Sequence, residues 1–211
     1  MNLTFKPRKD TPVIHLVPGM RLPEWPKWPE HWPEVVAFIG PAGCGKSTAA
    51  SHLLARGYTL LKFAHPIKQM LRAIGLEGEH LEGEAKELPC NLLLGASPRR
   101  AMQTLGTEWG RKLIHPDLWV HAWMKEAVWK LQNGNRLVID DLRYPNELSA
   151  ILRLGGSVIR IVRKDAFQCE AHDSETQFII SQRVIVNDGT TEDFLRATEA
   201  ALDSLHIQQA A

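Results

Sequence analysis

From residue 34 onward, apolar runs a few residues long alternate with longer stretches in which apolar positions recur every three or four residues, and this rhythm predicts strands and helices in succession. Val35–Ile39, Tyr58–Phe63, Arg136–Asp140, Ser157–Val162 and Val184–Val186 read as strands. Helices are expected from Thr48 to Leu54, from Ile67 to Ile74, from Pro98 to Leu105 behind a Ser97 N-cap, from Pro116 to Leu131, from Pro145 to Leu154 and from Thr191 to Leu205. On the Pro116–Leu131 helix, Leu118, Trp119, Ala122, Trp123 and Val128 fall near one face, and Trp119, Trp123 and Trp129 are expected in the core. Residues 75 to 97, rich in Gly and Glu, read as an irregular excursion with a short helix. The alternation implies a three-layer α/β/α fold, in which a mostly parallel sheet is covered on both faces and ligands sit at the carboxyl ends of the strands.

Before residue 34 the pattern changes. Pro12, Pro18, Pro23, Pro26, Pro29 and Pro33 arrive with Trp25, Trp28 and Trp32 among them. Proline at this density excludes a helix and favours an extended path, so residues 1–33 read as a strap outside the folded domain of residues 34–211. Its tryptophans either pack onto the domain's own surface or dock a partner or a second subunit.

Directly after the first strand stands Gly40-Pro41-Ala42-Gly43-Cys44-Gly45-Lys46-Ser47-Thr48, a match to G-x-x-x-x-G-K-[ST] followed by a helix. Strand, glycine loop and helix together form the context in which loop amides and a helix N-terminus surround an anion. Lys46 then reaches the β- and γ-phosphates and the Ser47 hydroxyl ligates Mg²⁺. Nucleotide contact is accordingly expected from Gly40, Ala42, Gly43, Cys44, Gly45, Lys46, Ser47 and Thr48. The motif establishes a phosphate site without saying what becomes of the phosphate.

Composition narrows the choice of partner. The chain has 211 residues, 44% hydrophobic and 23% charged, which suits one soluble α/β domain. A net charge of +1 gives no domain-wide footprint for nucleic acid and points to a small ligand. Cys44, Cys90 and Cys169 are odd in number and widely spaced, which indicates neither a disulfide framework nor a zinc site. No apolar run is long enough to span a bilayer and the N-terminus lacks a secretory core, so the cytoplasm is the expected compartment.

An enzyme that moves a phosphoryl group also needs an acid for the metal, cations over the transferring group, an acceptor site and a cover. Asp140 and Asp141 end an apolar strand, where a Walker B carboxylate would reach the metal. Alternation sends the two to opposite sides. Asp140 is assigned to the metal with Ser47, and Asp141 to the reacting and acceptor groups, although the sequence leaves open which one faces the ion. Arg143 follows near the same strand end. Arg99, Arg100, Arg111 and Lys112 flank Gln103 and a Leu105-Gly106-Thr107-Glu108-Trp109-Gly110 turn; arginine's planar fork suits a phosphate, and Gln103 can pair with a base edge. Arg160, Arg163 and Lys164 introduce a polar stretch containing His172, read as a lid over about residues 163–178. Asn187, Gly189 and Thr190, after the last strand, lie where the backbone can contact adenine.

Phe63-Ala64-His65-Pro66-Ile67-Lys68, Leu105-Gly106-Thr107-Glu108-Trp109-Gly110-Arg111, Asp140-Asp141-Leu142-Arg143-Tyr144-Pro145-Asn146-Glu147, His172-Asp173-Ser174-Glu175 and Asn187-Asp188-Gly189-Thr190 together resemble blocks of the bacteriophage deoxynucleoside monophosphate kinases. The resemblance covers about residues 34–205 and departs from the family at His65, where an acid is expected. It implies a nucleoside monophosphate kinase-like P-loop domain, with an acceptor-binding insertion at about residues 64–115. It also implies Mg²⁺- and ATP-dependent phosphorylation of a deoxynucleoside 5′-monophosphate in the host cytoplasm, by a chain that handles small nucleotides rather than nucleic acid or membrane and that has the option of homodimerising. Lys46, Arg99, Arg111, Arg143, Arg163 and Asp141 would then be catalytic, and Phe63, Lys68, Arg72, Arg99, Gln103, Thr107, Trp109, Arg111, Asp141 and Arg143 would meet the acceptor. Two alternatives stay open: a P-loop kinase acting on a hydroxyl, such as a dephospho-coenzyme A kinase, and a nucleotide-binding regulator or ATPase with the strap as its partner contact.

Overall fold

The computed structural model describes residue 29, residues 31–164 and residues 179–209, the last four by backbone alone. β1 (Val35–Ile39) lies at the centre of a five-stranded sheet between β3 (Arg136–Ile139) and β4 (Ser157–Val162), with β2 (Tyr58–Leu60) beyond β3 and β5 (Arg183–Val186) beyond β4. Every pairing is parallel, and Ala37 is in register with both Ile139 and Val158. All five β1 residues are buried because the strand is covered on both faces, which is why it reads as an unbroken apolar run. Val36 and Phe38 pack with Ala49 and Leu53 of α1 (Lys46–Ala55) and with Phe194 and Leu202 of α6 (Thr191–Gln209). Val35, Ala37 and Ile39 face Trp123 and Ala127 of α4 (Leu118–Gln132) and Ile151 of α5 (Pro145–Arg153). This is the expected three-layer α/β/α arrangement.

Between β2 and α4 the chain builds a satellite around Leu71, Leu76, Leu81 and Cys90. It comprises α2 (His65–Ala73), three single 3₁₀ turns at Gly78–His80, Glu84–Glu87 and Asn91–Leu93, and α3 (Pro98–Gln103), whose Ser97 cap accepts the Arg100 amide as the sequence suggested.

Three expectations are corrected. The second strand stops at Leu60 rather than Phe63, because the amides of Phe63 and Ala64 turn to the Asp141 carboxylate and leave the ladder. Gly106 to Gly110 is not a turn: α3 runs on without interruption as a π-helix, Thr104–Ile114. The two glycines serve close approach, since Trp119 Nε1 donates to the Gly106 carbonyl at 2.7 Å, and a Cβ on Gly110 would lie 2.4 Å from that same nitrogen. Trp129 is 51% exposed and not core. Six residues past Trp123 it has rotated about 240° off the buried face, where Ala127 takes the expected place.

The described part of the strap packs on the domain itself, at the amino ends of the strands. Trp32 is 3% exposed and donates its indole N–H to Asp203 at 2.7 Å, beside His31 on the same carboxylate. Arg136 binds the carbonyls of Pro29 and Trp32. Trp25 and Trp28 lie outside the described residues.

Gly110→Ala is expected to lower stability by about 1–3 kcal/mol, because overpacking against the Trp119 indole outweighs the roughly 1 kcal/mol gained in helix propensity. Urea unfolding measures it, and a midpoint equal to or above that of the parent would refute the close-approach reading.

Candidate active site

The glycine loop connects the carboxyl end of β1 to α1 and depends on backbone conformations that side chains resist. Gly40, Gly43 and Gly45 all have positive φ, and a Cβ on Gly45 would stand 2.6 Å from Asn187 Nδ2. Asn187, at the end of β5, donates to the Cys44 carbonyl at 2.8 Å and so fastens the loop to the far side of the sheet. α1 carries no acidic residue in its first turn, leaving the positive end of its dipole at the loop. Lys46 Nζ donates to the carbonyls of Gly40 at 2.7 Å and Pro41 at 2.8 Å, which holds the ammonium across the loop. Gly43, Gly45, Lys46, Ser47 and Thr48 line a hollow of about 210 Å³. Cys44 turns its side chain into the core, where burial pushes the thiol's pKa up.

β3 is the neighbour of β1, so its terminal acids arrive beside the loop, and they divide as alternation predicts. Asp140 is 7% exposed; its Oδ2 accepts from Ser47 Oγ at 3.4 Å and pairs with Lys62 Nζ at 3.3 Å. Its Oδ1 is buried with no hydrogen-bond partner among the described residues. A buried carboxylate oxygen left unpaired is costly. Set against a serine hydroxyl at the mouth of a phosphate loop, it fits a hard cation with oxygen ligands. Asp141 turns the other way and accepts the amides of Phe63 at 2.9 Å and Ala64 at 3.0 Å. Burial raises its pKa, and the two amides pull it back. Both of its oxygens therefore hold the β2–α2 connection, the sequence having assigned them to substrate.

The two most distinctive sequence blocks meet in one latch. Arg111 NH2 lies 2.6 Å from Glu147 Oε1, its NH1 reaches the Pro116 carbonyl at 3.2 Å, and its guanidinium stacks 3.8 Å from the Tyr144 ring centroid. Glu147 Oε2 accepts the amides of Arg143 at 2.8 Å and Tyr144 at 3.1 Å. Burial pushes the Glu147 carboxyl up to about 7, against the Arg143 amide that holds it down; Asp141 adds to the rise, while Arg111 and the Tyr144 amide oppose it.

The other expected site residues are more scattered. Phe63 is buried and stacked on Trp123 at 4.4 Å, so it supports the core. Lys68 and Arg72 both face Glu82, at 2.5 and 3.7 Å, and Arg99 holds Glu87 through two nitrogens at 2.9 and 2.7 Å. Gln103 is exposed, Thr107 half-buried, and Trp109 tilts on Trp119 at 5.9 Å with 37% of its surface open. Arg143 and Arg163 are exposed, and no ion pair joins their side chains to any described residue. Thr190 caps α6 by exchanging hydrogen bonds with Asp193, and Gly189 is exposed beside it. Most of the expected lid, with His172, lies outside the described residues. Sequence reasoning missed Lys62 and the role of Glu147. A lone charge interrupting the apolar Thr59-Leu60-Leu61-Lys62-Phe63 run pointed to the first; Glu three residues after the helix cap, the position that returns a side chain to the N-cap amide, pointed to the second.

A central strand feeding a glycine loop and helix, with a buried acid from the adjacent strand against the loop serine, defines the P-loop class of nucleotide-phosphate-binding domains. Comparison with known proteins narrows this. The family model for deoxynucleotide monophosphate kinase matches residues 95–197. A protein of Acanthamoeba polyphaga mimivirus named "Putative deoxynucleotide monophosphate kinase" is 30% identical over 187 residues, spanning 81% of this chain and 96% of the relative. The chain belongs to the deoxynucleotide monophosphate kinase family and is a nucleotide kinase. Among solved structures, a Thermus thermophilus protein designated TT1252 aligns with TM-score 0.46 at 19% identity, covering 82% of this chain and 98% of that one. A dephospho-CoA kinase from Campylobacter jejuni aligns with TM-score 0.45 at 14% identity, covering 83% and 98%. Among the described residues no helix is long and apolar enough to cross a membrane.

The latch carries a pH signature. Between the ordinary 4.5 of Glu147 and its value of about 7, the folded chain keeps a proton that the unfolded chain has released, so this group's contribution to stability declines as pH rises through that window. Glu147→Gln removes the titrating group. The melting temperature of the parent should therefore fall relative to that of Glu147→Gln as pH is raised from 4.5 to 7; a difference between the two proteins that stays flat with pH would contradict this.

Proposed function

We propose that the protein transfers the γ-phosphoryl group of Mg²⁺-ATP to a deoxynucleoside 5′-monophosphate, giving the diphosphate. The observation that carries the reading is the meeting of Lys46, Ser47 and the unpartnered Asp140 oxygen at one loop, in a chain of this family. The loop amides and Lys46 bind the donor phosphates, and the α1 dipole adds to their field. Ser47 and Asp140 would hold a magnesium ion, which when bound supplies charge neutralisation between the β- and γ-phosphates.

On the acceptor side stand Lys68, Arg72 and Arg99, each now held by a surface glutamate, together with Arg143 at the β3 end. These cations offer the geometry that phosphate recognition needs, with the arginines able to donate two parallel bonds. Gln103, Thr107 and Trp109 lie along the same α3 and π-helical segment and are available to the nucleoside. The attacking oxygen of a phosphate monoester is already ionised near neutral pH, so no side chain has to remove a proton. The rate enhancement then rests on positioning and electrostatic stabilisation. The Arg111–Glu147 latch contributes by fixing the backbone of Arg143 and Tyr144 rather than by touching phosphate.

In a coupled ADP-release assay with Mg²⁺-ATP, ADP should form only when a monophosphate is added, and deoxynucleotides should be preferred over ribonucleotides. Lys46→Ala should reduce kcat by about 100-fold or more while the melting temperature stays close to that of the parent, as removal of a principal transition-state cation does. ADP release indifferent to added monophosphate, or a folded Lys46→Ala protein of near-normal activity, would overturn the assignment.

A further inference from the structure

Lys62 belongs to no block that drew attention in the sequence, yet its ammonium reaches the acid beside the glycine loop. It follows β2 and Leu61, and its ammonium lies 3.3 Å from Asp140 Oδ2, the same oxygen that accepts from Ser47. Its charge acts on Asp141 on the neighbouring residue and on Glu82, the carboxylate shared by Lys68 and Arg72. Lys62 therefore contacts the donor loop's acid and is near enough for its charge to bear on the counter-ion of Lys68 and Arg72.

A structural ion pair in such a place would be expected to satisfy both carboxylate oxygens. This one leaves Asp140 Oδ1 buried and without a hydrogen-bond partner among the described residues, while the lysine keeps 30% of its side chain open. An ammonium on a flexible four-carbon stem exchanges partners readily. The charge that Asp140 needs in order to stay buried is thus supplied by a group able to leave.

We propose that Lys62 is a stand-in for the metal at Asp140: it neutralises the carboxylate until Mg²⁺-nucleotide arrives, competes with the ion for Asp140 Oδ2, and on displacement turns its charge toward the acceptor phosphate. This rests on the reading of Asp140 as the metal acid given above. Lys62 acts on the metal through Asp140 and is in that respect a positioning residue. Metal arrival and acceptor attraction are coupled, because the same ammonium cannot serve both sides at once.

The test measures Mn²⁺ affinity by electron paramagnetic resonance in the presence of a non-hydrolysable ATP analogue, so that turnover plays no part. With its competitor removed, Lys62→Met should bind Mn²⁺ about tenfold more tightly, in the range usual for coupling between neighbouring sites. Its KM for the monophosphate should rise, and Lys62→Arg should bring both quantities back toward the parent. Asp140→Asn serves as the control for the underlying reading and should weaken Mn²⁺ binding. If Asp140→Asn weakens binding but Lys62→Met leaves it unchanged or weaker, the stand-in role is wrong and the metal assignment stands. If Asp140→Asn leaves Mn²⁺ affinity unchanged, the metal assignment fails and the inference falls with it.

Discussion

The site depends first on the parallel pairing of β1 with β3. With Ala37 opposite Ile139, β3 ends alongside the last residues of β1, and Asp140, the next residue, meets Ser47 although 93 residues separate them in the chain. A parallel ladder fixes this level because side-chain alternation has a period of two: a shift of one residue would bring Asp141 to the loop and bury Asp140 against the other layer. The apolar residues on both faces of β1 and β3 make such a shift costly, so the packing of the core also sets the register of the chemistry. Asn187 does the same from the other side, tying β5 to the Cys44 carbonyl.

A second constraint shapes the segment between β2 and α4. The π-helical segment has no sheet to rest on, and it is positioned by side chains that reach across to α4 and α5. Trp119 enters the space that two glycines leave open, and Arg111 reaches Glu147. Glu147 in turn gathers the amides of Arg143 and Tyr144, so the chain leaving β3 and the segment carrying Gln103 and Trp109 are held by one carboxylate. Sequence blocks that read as lists of substrate contacts turn out to contain parts that hold one another in place.

The fold was legible where burial dictates pattern. β1 and β4 were read to the residue, and the helices, apart from the one that runs on past Gly106, to within a few residues at each end, because strands covered on both faces and amphipathic helices leave simple periodicities. Gly106 and Gly110 misled because glycine marks both a turn and a close approach, and only the partner, Trp119, distinguishes them. Trp129 misled because aromatic content was weighed above angular position. In the site, the loop was plain because its residues are consecutive. The division of labour between Asp140 and Asp141 was half legible: alternation said that they part, while the partners that decide which goes where, Ser47 and the Phe63 and Ala64 amides, lie far away in sequence. The pairing of Arg111 with Glu147 was not legible, since no local signal shows that a buried glutamate waits 36 residues downstream.

Among the described residues Lys68, Arg72 and Arg99 are paired with exposed glutamates and Arg111 with a buried one, and the degree of burial decides which pairs part readily. Arg99 with Glu87 and Lys68 with Glu82 are pairs whose glutamates are more than half open to water, 53% and 51%. Exposed pairs of this kind contribute little to stability, so either member changes partner readily. Arg111 and Glu147 are 15% and 3% exposed, and separating them would strand a buried carboxylate at a cost of about 3–5 kcal/mol. Arg111 is thereby kept to its latch, while Arg99 and Lys68 remain exchangeable.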